Sequence, residues 1–150
     1  MDIKELMGTM LSSETVGAIG KAAGASGSDV KSVLSSALPS LLEGAKGQAD
    51  DTATAEGFVG ALSDHAKDNT SDISSFLSGV DLEDGGKIVG HLLGSDADKT
   101  TKAAADKAGV DKSKAGSILS AAAPLLMSLL GQNASSGANP GMAGQDILFV

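Results

Sequence analysis

Apolar residues in this chain recur at intervals of three and four from Ile3 to Leu130, and nowhere alternate long enough to line one face of a strand. That spacing predicts an all-α fold. A first helix is expected over about 2–11, carried by Ile3, Leu6, Met7, Met10 and Leu11, and a second after Ser12-Ser13 that buries Val16, Ile19, Ala22 and Ala23. A third begins at the N-cap candidate Ser28 and runs through Val30, Val33, Leu34, Ala37, Leu38, Leu41 and Leu42. Pro39 should kink it, because proline removes a backbone donor and crowds the preceding turn. Two acid-rich helices at about 53–67 and 71–78 follow, then helices at about 83–93, 97–108 and 111–131. The expected core is Val30, Leu34, Leu38, Leu41, Ile88, Leu92, Ile118, Leu119, Leu126 and Leu129.

Glycine interrupts this pattern. Of 20 glycines, Gly8, Gly17, Gly20, Gly57, Gly60, Gly90 and Gly116 fall inside helically spaced segments. Each costs about 1 kcal/mol against alanine in a helix interior, and the seven together cost about 7 kcal/mol. A domain's whole net stability is about 5–15 kcal/mol, so something must offset that sum. Close helix–helix approach, within the fold or between subunits, is the expected compensation. With three phenylalanines and no Trp or Tyr, the core must come from Leu, Ile, Val, Met and Ala.

The chain also echoes itself. Gly24, Leu34-Ser35, Pro39 and Leu41 match Gly109, Leu119-Ser120, Pro124 and Leu126 at a constant offset of 85. Upstream, Leu6-Met7-Gly8 and Leu11 match Ile88-Val89-Gly90 and Leu93. The expected architecture is a compact multi-helix domain over 1–132 made of two related three-helix units, about 3–46 and 85–131, with an acidic helical insert between them. Residues 133–150 read as a flexible Gly/Ser-rich tail ending in the apolar residues Ile147, Leu148, Phe149 and Val150.

The segment Asp84-Gly85-Gly86-Lys87-Ile88-Val89-Gly90-His91-Leu92-Leu93-Gly94 resembles the most recognisable motif of the YidB-like family, the bacterial domain of unknown function 937. Its family positions here are Gly86, Ile88, Gly90, His91, Leu92, Leu93 and Gly94. The Ser120 to Pro124 turn, the run from Leu125 to Leu130 and Gly131 extend the likeness, which covers about 1–132. The resemblance implies a small all-α fold and supplies no catalytic residues.

The residues themselves point to no enzyme and no cofactor. The absence of cysteine excludes disulfides and thiolate metal sites. Around His91 a metal site needs a second ligand one turn away, and Lys87 and Ser95 stand there, so the histidine reads as a capped or helix-packing residue. His65 reads as solvated. Counted as a calcium loop from Asp81, the chain places Leu92 where a bidentate glutamate is required. Those acids instead suit a helix start, where they face the positive end of the dipole. Gly24-Ala25-Ser26-Gly27-Ser28 lacks a phosphate-loop lysine, and no serine sits on a nucleophile elbow.

Charge is unevenly distributed within a net −8. Residues 50–98 carry eleven acids against Lys67 and Lys87, while 99–115 carry Lys99, Lys102, Lys107, Lys112 and Lys114 against two acids. That basic stretch supports a rival reading, a helix-turn-helix-like nucleic-acid-binding protein. The first copy of the same helix-turn-helix cadence has its presumptive reading helix at 28–38, which offers Ser32, Ser35 and Ser36 and no Arg, Asn or Gln for bidentate base contacts. The preferred expectation is a non-enzymatic structural or interaction protein that self-assembles into a homo-oligomer or filament through helix packing and exchange of residues 147–150. No secretory signal is legible and no uninterrupted apolar stretch reaches membrane-spanning length, so the chain reads as cytoplasmic.

Overall fold

The computed structural model describes residues 3–65 and 72–137, with side chains over 4–61 and 72–131. The elements are α1 (Ile3–Met10), α2 (Ser13–Ala23), α3 (Gly27–Asp50), α4 (Ala55–His65), α5 (Ile73–Ser78), α6 (Leu82–Leu93), a 3-10 turn (Gly94–Asp96), α7 (Ala97–Ala108) and α8 (Lys112–Gly137). No strand occurs among the described residues, and the fold is all-α.

Helix α8 is the axis of the molecule, and each of the other seven α-helices touches it. Its side chains from Ala121 to Gly131 are all buried. By length and composition Lys112–Gly131 is apolar enough to cross a membrane even though serines and a proline interrupt it. With 78% of its most apolar window inside the protein, the core position accounts for that apolarity. The second long helix, α3, lies against α8 and also packs on α2, α4, α6 and α7. Both long helices continue as α-helix through their prolines, Pro39 and Pro124.

The turns into the two long helices are built alike. Gly24 and Gly109 close α2 and α7 in the left-handed region, with φ of 69° and 72°. Glycine adopts this conformation without the Cβ clash other residues meet. One residue on, Ala25 N–H donates to the Gly20 carbonyl and Val110 N–H to the Ala105 carbonyl. Then Ser26 accepts from Asp29 N–H at 3.1 Å, and Asp111 accepts from Lys114 N–H at 2.7 Å. Every member of the second turn lies 85 residues after its counterpart in the first.

Ser26 therefore caps α3, and the expected cap Ser28 lies inside the helix. Of the expected core, Ile88 is half-buried and the other nine are buried. On α2, Val16 and Ile19 are buried as expected, while Ala22 and Ala23 are half-buried. The first residues of the expected linker, up to Gly137, belong to α8.

Candidate functional site

Two glycine contacts fix α6 between the long helices. A Cβ at Gly85 would run into the Ser120 carbonyl of α8, and a Cβ at Gly44 of α3 would run into the Leu92 carbonyl of α6. Ser120 lies four residues before Pro124, which has no N–H to offer its carbonyl. Helix α6 presses its glycine face onto the oxygen that proline leaves without its normal helix donor. At its start α6 is capped by Asp81, whose Oδ1 accepts from Glu83 N–H at 2.9 Å and Asp84 N–H at 3.3 Å. At its end Gly94 closes it with φ 56°.

This placement explains most of the glycine-rich motif in structural terms. Val89 and Leu92 are buried, Ile88 and Leu93 are half-buried against the core, and Gly85 and Gly94 are required by packing and backbone conformation. Of the family positions, Gly86, Gly90 and His91 are left over. All three are exposed, and a Cβ at Gly90 would meet nothing within 4 Å. The His91 backbone carbonyl accepts from Gln48 Nε2 at 3.0 Å, which ties the end of α6 to α3.

Beside this tie lies an open groove of about 390 Å³ between α4 and α6. Gly57, Phe58 and Ala61 of α4 form one wall, and Ile88 and His91 of α6 the other. Gln48, Thr54, Leu92 and Met127 also line it, and among the described residues no Asp, Glu or Lys does. Its volume is that of a small-ligand site. The groove was not legible in the sequence because its walls come from helices about 30 residues apart and its third side from α8. The one signal was the pair of exposed-face glycines, Gly57 and Gly90, within helical segments.

Among the described residues no group of three or more His, Asp or Glu side chains is placed to hold a metal ion. Asp81 spends its carboxylate on the cap of α6. Two of the five lysines of the basic stretch have partners within the fold: Lys112 pairs with Asp98, and Lys114 Nζ donates to the Gly24 carbonyl at the end of α2. The side chain of His65 and the expected interaction residues Ile147, Leu148, Phe149 and Val150 lie outside the described residues.

No curated protein and no solved structure matches the chain. A family model does match, over residues 5–133, the span that holds the two long helices, α6 and its glycine contacts. The chain belongs to that family, the bacterial proteins of unknown function DUF937.

Proposed function

We propose that this protein is a non-enzymatic interaction protein that associates with copies of itself through glycine-bearing helix faces and the apolar segment 147–150. The supporting observation is the division of its helix glycines. Gly20, Gly44 and Gly85 face backbone carbonyls of neighbouring segments, so their cost is offset inside the fold. Gly8, Gly17, Gly57, Gly60 and Gly90 are exposed, and a Cβ at any of them would meet nothing within 4 Å. Their combined cost of about 5 kcal/mol has no return among the described residues. A second helix laid on these faces supplies one, since a missing side chain lets two backbones approach closely.

The sequence adds Ile147, Leu148, Phe149 and Val150 beyond a Gly/Ser-rich stretch, an arrangement suited to reaching a neighbour. Insertion of one subunit's segment into the next is a heterologous contact, which closes into a ring or grows into a filament. Light scattering on the full chain and on a variant lacking residues 141–150 tests the reading. The full chain is expected to exceed the monomer mass with rising concentration and the truncated chain to remain smaller. A full chain that stays monomeric at high concentration overturns the proposal.

A further inference from the structure

We infer that the groove between α4 and α6 is the receptor for this chain's own apolar segment, Ile147, Leu148, Phe149 and Val150. The inference deepens the self-assembly reading, and its exchanged form rests on that reading.

Chemistry selects this groove over the other clefts described. One of those, between α3 and α7, holds Glu43, Asp96 and Lys99; another, between α2 and α5, holds Glu14 and Lys21. Seating a large apolar segment in either strips water from charged groups, which is unfavourable unless they are paired. Among the described residues the α4–α6 groove is lined by Phe58, Ile88, Leu92 and Met127 together with Gln48, Thr54 and His91, and by no Asp, Glu or Lys. Gly57 also leaves one wall without a side chain, so an entering backbone can come close. Residues 147–150 are the longest uninterrupted run of large apolar side chains in the sequence, and those side chains too carry no charge.

Reach agrees with the assignment. Met127 lies ten residues before Gly137, where α8 ends, a distance of about 15 Å along the helix at 1.5 Å per residue. Residues 138–146 separate Gly137 from Ile147. A chain of that length has a span of about 15–18 Å as a coil and about 30 Å when extended. The segment therefore returns to its own groove or enters that of an adjacent copy with the same linker.

The absence of cysteine makes the test clean. The full chain carrying Ala53→Cys and Leu148→Cys is oxidised under mild conditions and compared with a control pair, Ser35→Cys and Leu148→Cys. Ala53 and Ser35 are both exposed, so neither change disturbs the core, and Ser35 does not line the groove. Cross-linking of the groove pair is expected to be on the order of 10²-fold faster than that of the control, as expected for a segment held near its site. Ala61→Cys with Phe149→Cys serves as a second reporter.

Mixing the two single variants, Ala53→Cys and Leu148→Cys, separates the forms, because a covalent dimer requires exchange between copies. Cross-linking confined to one chain, with a monomeric mass, keeps the groove assignment and removes the self-assembly reading. Groove pairs that oxidise no faster than the control overturn the groove assignment. Assembly that still depends on residues 141–150 then leaves self-assembly standing with its receptor elsewhere.

Discussion

A methyl group added at Gly85 collides with the Ser120 carbonyl, and one added at Gly57 enters open space, so one substitution has opposite effects at two helix glycines. Gly85→Ala is expected to cost about 1–3 kcal/mol, the usual penalty for overpacking, and to lower the urea midpoint. Gly57→Ala is expected to stabilise the monomer by about 0.4–1 kcal/mol through the unfolded state. If its face meets another subunit, the same change weakens association, so stability and mass should move in opposite directions. Asp72 offers a separate residue-scale test. Its carboxylate caps α5, accepting from Ser75 N–H at 3.2 Å and from Ser75 Oγ at 3.0 Å. These bonds, the backbone one first, hold its pKa below the ordinary aspartate value. A lowered folded pKa means the cap's contribution is present above the unfolded value and is lost as pH falls through the folded one. In an NMR titration Ser75→Ala should raise the Asp72 pKa only partway, since the backbone donor remains.

The paired turns before α3 and α8 make a prediction at the scale of elements. Ser26 and Asp111 fill one role at one offset, so Ser26→Ala and Asp111→Ala should each cost about 0.5–2 kcal/mol, by a similar amount in denaturant unfolding. A large difference between them would show that the two turns are not equivalent in stability. How legible these elements were depended on the kind of signal. Helix order and the buried stripes followed from apolar spacing, because a half-buried helix writes its core face into its sequence every three or four residues. The cap of α3 was misplaced at Ser28 because Ser26 and Ser28 are equally good cap residues locally. The left-handed Gly24 and the Ala25 bond to the Gly20 carbonyl decide between them. The internal offset already carried that answer, since Asp111 falls 85 residues after Ser26. The half-buried state of Ile88 was not legible, because nothing in α6 reveals that α4 stops short of covering it. The same missing information hid the groove.

At the scale of the whole molecule, the two readings of function respond to different variables. Nucleic-acid binding by the basic stretch would depend on phosphate neutralisation and fall steeply with salt. With Lys112 paired to Asp98 and Lys114 engaged by Gly24, a low-salt gel-shift titration is expected to show no retardation, and a clear shift would revive that rival. Self-assembly should depend instead on apolar burial and concentration. Burying the four side chains of residues 147–150 contributes about 1.5–3 kcal/mol each before ordering costs. Ordering the residues ahead of them consumes part of that gain, at about 1–2 kcal/mol per ordered backbone residue. One such contact is therefore weak, and stable assembly needs the glycine faces of α4 and α6 to join it. Deleting residues 141–150 should lower the association constant without lowering the urea midpoint of the monomer, whose described core contains none of those residues. Replacing Gly57, Gly60 and Gly90 together by alanine should weaken association even with the apolar segment intact. Sedimentation velocity across a concentration series separates the contributions. If the triple-alanine chain assembles as tightly as the parent, the exposed glycines do not form the interface, and their cost must be offset in some other way.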